Sequence, residues 1–381
     1  MKPFTSAVTV ALTIVGVSAC TDNTASEGGP IAVVSTDTEC KVARTEAKSG
    51  NLVFDVKNGG DKVTEFYLLG SDGLRIIGEI ENIGADATRK LVVKAAPGKY
   101  FTSCKPGMVG DGIRASFTVT DSGTDMSAAS DVAELLATAT DQYRLYVRDQ
   151  VATLVEKTTQ FTDLYKANKD DEARALYAPA RVHWERIEPV AESFGDLDPR
   201  LDLREADLEA GQEWTGWHRI EKDLWPPSAG YTAMTAAERA TIADRLAADT
   251  ADLSRRVEQL TFNPDQLGNG AKELLDEVAT GKVTGEEEAW SHTDLWDVQA
   301  NVDGARIAFE NLRPALLKKD KTLAETLTTK FAELQTLLNQ FKRGDGFVYY
   351  NELTAEQVSE LSRTVDALGE PLATLTAAVV L

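Results

Sequence analysis

The sequence predicts two domains, an all-β sandwich followed by an all-α bundle of helices. The first observation is a series of short β-branched and aromatic runs in residues 31–121, separated by turn residues such as Asn58-Gly59-Gly60. The second is a change of composition at residue 131, after which Ala, Leu, Glu, Asp and Arg dominate and apolar residues recur with helical periodicity. The chain has 381 residues, enough for both domains.

Each element of this prediction has its own segment. The small antiparallel sandwich of residues 31–121 is expected to use the runs IAVVST, NLVFDVKN, TEFYLLG, RIIGEI, RKLVVKAAPGKYFTSC and RASFTVTD. Residues 121–130 form a polar linker. The helical domain is residues 131–381, with breaks at GDLDPRLD and FNPDQLGNG. Its helices are predicted to start near Asp131, Asp171, Leu208, Ala236, Gly270, Asp294, Lys321 and Ala355.

The N-terminus has the pattern of an export signal. Lys2 precedes an apolar stretch at residues 7–17 that is too short to span a bilayer comfortably, and small residues then precede Cys20. This pattern resembles a lipobox, so we predict a lipoprotein signal peptide at residues 1–19, lipidation of Cys20 and a flexible tether at residues 20–30. The alternative is an ordinary signal peptide cleaved nearby. Either pattern predicts the cell envelope, and lipidation predicts the outer face of the cytoplasmic membrane.

The charge balance favours cations as ligands. The chain has 61 acidic and 40 basic residues and a formal net charge of −21. Such a surface argues against nucleic acid or anionic membrane as the main partner.

One stretch, EWTGWHRIEKDLW, combines an imidazole and carboxylates with three of the six tryptophans. Trp214, His218, Glu221 and Trp225 have the spacing of one helix face, and the aromatic residues indicate that this face points inward. His218 and Glu221 lie about 60° apart around the helix axis, so both side chains can reach one ion. The alternative is a His–Glu hydrogen bond inside a core, because a buried carboxylate needs a partner.

An acidic stripe precedes this helix. Glu185, Glu188 and Glu192 share one face of a predicted helix that Pro189 kinks, and further aspartates follow. The stripe is either a solvated face or a carboxylate cluster facing His218. One imidazole with several carboxylates suits iron, manganese or zinc, and the oxygen-rich balance favours a hard or borderline ion such as Fe³⁺.

Three segments, HWERIEPVAESFGDLDPRLD, GWHRIEKDLW and VTGEEEAWSHTDLWDVQANVDGA, resemble the imelysin-like domain of EfeO-type iron-uptake proteins. The N-terminal region resembles the cupredoxin-like domain of the same family, which implies a Greek-key sandwich. The resemblance implies an extracytoplasmic protein that binds Fe³⁺ or Fe²⁺ as cargo and works with a membrane iron permease and a haem-containing, peroxidase-like partner. The metal ligands it implies are His218 and Glu221 of the HxxE motif, Glu185, Glu188 and Asp202.

The third segment suggests mainly structural roles. Ser291 and Asp294 have the spacing of a capping box for the helix TDLWDVQAN, so His292, Asp294 and Asp297 are predicted to be structural. The run of acidic residues 286–288 (Glu286, Glu287 and Glu288) suggests a secondary cation site.

The N-terminal domain has no histidine, since the first histidine of the chain is His183. A blue-copper site needs two histidines and is excluded. Cys40 and Cys104 either form a disulfide or act as thiolate ligands of copper, iron or another metal, together with Met108 and Glu65.

The leading hypothesis for function is therefore an iron-binding lipoprotein rather than an enzyme. One alternative is a metallopeptidase that uses His218 and Glu221 with Glu185 or Glu188 as the base, although no second nearby histidine completes a zincin motif. A second alternative is a polysaccharide- or protein-binding envelope module that uses exposed tryptophans.

Overall fold

The computed structural model describes residues 29–71, 73, 76–108, 112–123, 131–188, 190, 193 and 195–381. The predicted signal peptide, the lipidation site Cys20, most of the tether, and the predicted stripe and kink residues Glu192 and Pro189 lie outside the described residues. A β-rich N-terminal region and a helical C-terminal region each have a separate hydrophobic core. The prediction of two domains with these secondary structures is confirmed.

The N-terminal domain is a sandwich of two sheets. Its strands are β1 (Ile31–Ser35), β2 (Cys40–Val42), β3 (Glu46–Lys48), β4 (Gly50–Asn58), β5 (Thr64–Leu69), β6 (Ile76–Ile83), β7 (Thr88–Ala95), β8 (Gly98–Pro106) and β9 (Ile113–Thr120). The sheet orders are β2-β1-β4-β7 and β3-β9-β8-β5-β6. The prediction of a purely antiparallel sandwich is wrong, because β1 runs parallel to β4 and β3 runs parallel to β9. Neither of these pairs is joined by a hairpin, which would force antiparallel pairing.

A disulfide joins the two sheets. Cys40 in β2 and Cys104 in β8 are bonded, with a Cα–Cα distance of 5.6 Å. The disulfide is the first of the two roles that the sequence left open for these cysteines. The bond closes a loop with a sequence separation of 64, which in the chain-entropy model stabilises the folded domain by about 4 kcal/mol.

The C-terminal domain consists of packed helices. They are α1 (Asp131–Lys166), α2 (Asp170–Glu185), α3 (Asp198–Leu201), α4 (Trp217–Leu224), α5 (Ala236–Val257), α6 (Pro264–Thr280), α7 (Asp294–Lys319), α8 (Lys321–Leu338), α9 (Ala355–Leu372) and α10 (Leu375–Val380). Helix α1 packs along α2, α5 and α7, and α6 packs against α7. In the part of the chain that the structure describes, no helix has the length and apolar character needed to cross a membrane.

Two predicted helix starts are wrong. The segment after Leu208 is irregular until Trp217, since Gly211 and Gly216 both have positive φ angles. Helix α6 begins at Pro264, several residues before Gly270, although FNPDQLGNG was predicted to be a break. Asn263 is the N-cap, and a proline is well tolerated in the first turn of a helix.

Helix α6 connects the two domains. Strand β7 is an edge strand, and its backbone pairs with two side chains of α6. Asp265 Oδ2 accepts a hydrogen bond from the backbone N–H of Lys94 at 2.7 Å, and the Asn269 side-chain amide donates to the Val92 carbonyl at 3.0 Å. These bonds satisfy an otherwise open sheet edge and fix the sandwich against the bundle.

Asp265 makes this interface sensitive to pH. Burial raises the pKa of Asp265 to about 7. A carboxyl with a raised pKa stabilises the folded state below its unfolded pKa, and this contribution is lost as pH rises through the folded pKa. Between pH 6 and pH 8 we expect wild type to lose about 1.4 kcal/mol of unfolding free energy relative to Asp265→Asn. Urea unfolding of both proteins at the two pH values measures this difference, and equal pH dependence would contradict the assignment.

Candidate metal centre

Helix α4 begins directly after Gly216, which has a φ of 87°. A Cβ at this position would clash with the carbonyl oxygen of Leu201, so the backbone requires glycine. This start places His218 and Glu221 one turn apart on α4, and both are 0% exposed. The prediction that these two residues share an inward-facing helix surface is confirmed.

The predicted aromatic stripe is only partly correct. Helix α4 has eight residues, so Trp214 lies before it and Trp225 is its C-cap. Of the three tryptophans in this stretch, Trp217 is the fully buried one, and its ring centroid lies 5.0 Å from that of Phe161. The left-handed backbone at Gly216 prevents the helix from extending back to Trp214.

The imidazole of His218 has carboxylates on both sides. Its Nε2 lies 3.4 Å from Asp202 Oδ1 and 3.5 Å from Glu287 Oε1, and its Nδ1 lies 3.2 Å from Glu221 Oε2. Two groups have ligand atoms within 4.8 Å of one another, namely Asp202, His218 and Glu287 on one side and His218, Glu221 and Glu288 on the other. We call these the Nε2 group and the Nδ1 group.

Backbone amides hold Glu221 in place. Its Oε1 accepts hydrogen bonds from the N–H groups of Trp290 at 3.0 Å and Ser291 at 2.7 Å. Burial acts to raise the pKa of Glu221, but His218 and these amides lower it below its ordinary value. Glu221 is therefore ionised at neutral pH, with one oxygen directed at the imidazole.

Aromatic side chains donate hydrogen bonds to the carboxylates and also shield the site from solvent. Trp184 Nε1 donates to Asp202 Oδ2 at 2.7 Å, and the Tyr177 hydroxyl donates to Glu288 Oε1 at 3.2 Å. Trp184 and Tyr177 are both 0% exposed. These residues exclude water and orient one oxygen of each carboxylate.

The guanidinium of Arg181 lies among five carboxylates and is 0% exposed. Its Nη1 contacts Asp202 Oδ1, and its Nη2 lies 2.8 Å from Glu287 Oε1. The full set of acidic partners is Asp202, Glu185, Glu287, Glu288 and Asp297. One buried cation thus contacts carboxylates of both groups around His218.

A second buried cation, Lys282, holds the two glutamates that the sequence singled out. Its Nζ lies 2.5 Å from Glu185 Oε2 and 2.9 Å from Glu188 Oε2. The Asn301 amide also lies 3.2 Å from each of these two oxygens. Glu185 and Glu188 are therefore buried beside the centre but belong to neither the Nε2 group nor the Nδ1 group.

Ion pairing decides which of the ligand groups around His218 carry charge. Burial and the neighbouring Arg181 act to lower the pKa of His218, but its hydrogen bonds to Asp202, Glu221 and Glu287 raise it well above the ordinary value. Burial acts to raise the pKa of Asp202 and Glu287, but nearby cations hold the pKa of both carboxyls well below the usual range. The imidazolium and these carboxylates form a buried ionic network.

Other carboxyls of the cluster have pKa values above their ordinary range. Burial, followed by the charge of neighbouring carboxylates, raises the pKa of Glu188, Glu288 and Asp297 well above the ordinary value. Burial also raises the pKa of Asp198 to about 7 and that of Asp294 to about 6. These carboxyls take up protons at a higher pH than free carboxyls do, which lowers the net negative charge of the cluster.

Arg204 lies on the solvent side of the cluster. Its side chain is 30% exposed, and its Nη1 lies 3.3 Å from Glu287 Oε2 and 3.6 Å from Glu286 Oε1. The Glu286 side chain is 57% exposed. Solvent therefore approaches the centre past Glu286 and Arg204.

The segment that carries Glu287 and Glu288 differs from its prediction. These two residues belong to the main cluster and do not form a separate cation site. The predicted capping box is also wrong, because Thr293 is the N-cap of α7. The Ser291 hydroxyl instead donates to Glu288 Oε2 at 3.0 Å, and Asp294 Oδ1 accepts from the Glu288 N–H at 3.1 Å. Asp294 is structural as predicted, but its partner is the loop that bears the ligands.

The thiolate metal site considered for the N-terminal domain is wrong. The disulfide leaves no thiolate at Cys40 or Cys104, so neither residue can bind copper or iron in this structure. Met108 is 39% exposed, and Glu65 accepts a hydrogen bond from the Tyr67 hydroxyl at 2.7 Å. Among the described residues, both groups of potential metal ligands lie in the helical domain.

Three residues of the centre were not predicted to contribute to it. Arg181 precedes Glu185 by four residues, which is a usable signal for an ion pair on one helix. Lys282 lies 97 residues from Glu185 and 94 residues from Glu188, so its contacts with these two glutamates have no local sequence signal. Asp297 was predicted to be structural, yet it is 1% exposed and faces Arg181.

Comparisons with known proteins agree with this architecture. Residues 139–375 match the family model described as Imelysin. The chain is 36% identical over 348 residues to proteins named "Iron uptake system component EfeO" from Escherichia coli K12, Escherichia coli O157:H7 and Shigella flexneri. Each alignment covers 91% of this chain and 90% of the relative.

Proposed function

Because this chain belongs to the imelysin family and is an EfeO-type protein, we propose that it captures iron at the centre around His218 and passes it on for uptake. It binds and releases the ion rather than catalysing a reaction. One ion binds one nitrogen of the imidazole, so the ligands are His218 with Asp202 and Glu287 at Nε2, or His218 with Glu221 and Glu288 at Nδ1. Glu185 and Glu188 lie next to them and complete the acidic cluster.

The observation that carries this proposal is the convergence of carboxylate oxygens on one buried imidazole. One imidazole nitrogen with carboxylate oxygens is a donor set that suits hard or borderline ions, including both oxidation states of iron. Iron is the cargo in this proposal, and the net charge of −21 attracts cations to the surface.

The location and partners of the protein follow from the same family. We propose that the protein is a lipoprotein anchored through Cys20 on the outer face of the cytoplasmic membrane. It delivers iron to a membrane permease and works with a haem-containing, peroxidase-like protein. The N-terminal sandwich is then a cupredoxin-like Greek-key domain stabilised by its disulfide, and its assembly on α6 supports a role in positioning the iron-binding domain.

The metallopeptidase alternative fits the geometry less well. A peptidase metal needs a coordination position that is open to water and to the substrate carbonyl. His218 and Glu221 are both 0% exposed, and the candidate bases Glu185 and Glu188 are bonded to Lys282. A peptide chain does not reach a site of this kind.

The tryptophan-platform alternative also lacks support. All six tryptophans lie in the described part of the chain, and each is buried or only partly exposed. Trp214 packs against Trp290 with a ring distance of 5.8 Å, and its Nε1 donates to the Leu203 carbonyl. A stacking platform for sugars needs an open indole face.

The test is equilibrium iron binding to the soluble form that begins after Cys20. We expect His218→Ala to weaken binding of ferric citrate and of anaerobic Fe²⁺ by roughly 100-fold or more, since even residues behind the ligands change affinity by 10- to 100-fold. His183→Ala is the matched control, because His183 contacts Gln150 on another helix surface. Unchanged binding in His218→Ala would move the site elsewhere, and no iron binding by wild type would reject the proposed function.

A further inference from the structure

Arg181 contacts the same oxygen atoms that face Nε2 of His218. Asp202 Oδ1 lies 3.4 Å from His218 Nε2 and is also bonded by Arg181 Nη1. Glu287 Oε1 lies 3.5 Å from His218 Nε2 and 2.8 Å from Arg181 Nη2. The Nε2 group of ligands is thus already neutralised by a side-chain cation.

We propose that Arg181 is an internal competitor of the cargo: its guanidinium holds the ligand carboxylates in the ion-free protein and moves towards Asp297 when the ion enters. The inference rests on the proposed function, because it concerns how the same centre is loaded. It assigns to Arg181 the role of setting the affinity, so that the ion is held but remains releasable.

The distances explain why the bound ion and the Arg181 guanidinium compete for the same two carboxylates. A transition-metal ion lies about 2.0–2.2 Å from each carboxylate oxygen that ligates it. Arg181 nitrogens are already within hydrogen-bonding distance of the same two oxygens. The ion and the guanidinium would therefore be near neighbours in a largely buried cluster, where like charges repel more strongly than in water. Loading requires the guanidinium to release Asp202 and Glu287.

Asp297 provides the alternative partner. It is 1% exposed, and neither of its carboxylate oxygens accepts a hydrogen bond. Its Oδ1 lies 3.4 Å from Arg181 Nε, slightly beyond a good hydrogen bond. Glu288 Oε1 is 2.6 Å from the same nitrogen. If the guanidinium moves slightly towards α7, it releases Asp202 and Glu287. It then bonds to Asp297, whose carboxyl oxygens accept no other hydrogen bond.

A double-mutant cycle tests this exchange. Dissociation constants for Mn²⁺ and for ferric citrate are measured on the soluble form of wild type, Arg181→Gln, Asp297→Asn and the double variant. We expect Arg181→Gln to bind at least tenfold more tightly than wild type, because the competitor is gone. Asp297→Asn is expected to bind about tenfold more weakly, because a neutral amide oxygen is a weaker acceptor for the displaced guanidinium than a carboxylate. When Arg181 is already replaced by glutamine, adding Asp297→Asn should change the dissociation constant less than threefold.

The same set of variants also includes the control for loss of folding. Arg181→Gln leaves several buried carboxylates without a cation and is expected to lower the Tm of the ion-free protein, while the ion-induced rise in Tm becomes larger than in wild type. The double variant removes the guanidinium together with the carboxyl of Asp297, so it supplies the comparison if Arg181→Gln alone does not fold, and its affinity must then exceed that of wild type. Arg186→Gln is the matched control, because Arg186 pairs with Asp303 at the bundle surface.

The outcomes separate the two proposals. Equal or weaker binding by Arg181→Gln and by the double variant, with normal binding by wild type, would overturn the competitor role and leave the proposed function intact. The competitor role would also be overturned if Asp297→Asn changed the dissociation constant by the same factor in wild type and in Arg181→Gln. Absence of binding by wild type rejects the proposed function, and binding gained by Arg181→Gln would even then support the competitor role.

Discussion

Replacing Lys282 by methionine is expected to lower the free energy of unfolding by about 3–5 kcal/mol, the usual cost of removing one partner from a buried ion cluster. Lys282 is 0% exposed, and its Nζ lies within 3.4 Å of carboxylate oxygens of Glu185, Glu188 and Glu277. Methionine fills a similar volume but removes the cation shared by these carboxyls, leaving Glu185 paired with Arg181 alone, in a region where water does not solvate them. Urea unfolding of the ion-free protein at neutral pH measures the effect.

The control for this prediction is a lysine whose ion pair is exposed to solvent. Lys330 Nζ lies 2.8 Å from Glu333, and the lysine side chain is 33% exposed. We expect Lys330→Met to change stability by less than about 1 kcal/mol. Adding Glu185→Gln to Lys282→Met removes one uncompensated carboxylate and should recover part of the loss. A change below 1 kcal/mol in Lys282→Met itself would mean that protons alone neutralise this side of the cluster.

Local sequence patterns predicted the domains well, because the patterns are local properties. Alternating apolar residues, turn residues and helical periodicity each act over a few residues, and they located the sandwich and most helix starts. The parallel pairing of β1 with β4 was not predicted, since it depends on which strands meet after folding. The start of α4 was misplaced because helical spacing from Trp214 to Trp225 gives no indication that Gly216 adopts a positive φ.

The residues of the centre were predicted only in part, because local patterns do not show which distant segments meet after folding. His218 and Glu221 share one helix turn, so their spacing alone predicted a common site, and Asp202 followed from the family resemblance. Glu287 and Glu288 were identified as a separate acidic site because nothing in their own segment shows that it returns to His218. The compensating cations were missed altogether, since Arg181 and Lys282 acquire their role only when distant segments bring carboxylates around them.

Cation binding is expected to weaken steeply as pH falls. In the ion-free centre, contacts with carboxylates raise the pKa of His218 well above its ordinary value despite burial. Ligation requires the neutral imidazole, so a bound ion must displace the proton of His218, and protons compete more effectively as pH falls. One displaced proton gives about a tenfold loss of affinity per pH unit, or about 100-fold between pH 7.5 and pH 5.5.

Calorimetric titration with Mn²⁺ at pH 5.5, 6.5 and 7.5 measures this dependence, and repeating it in buffers of different ionisation enthalpy counts the protons released. Glu288→Gln changes this slope only where the ion binds on the Nδ1 side, because Glu288 belongs to the Nδ1 group. Glu286→Gln is the matched control, because the Glu286 side chain is 57% exposed and the pH slope should stay as in wild type. Affinity that does not vary with pH would show that the ion replaces Arg181 or another side-chain cation without displacing protons. A steep slope would instead mean that acidification alone suffices to empty a centre whose ligands are buried.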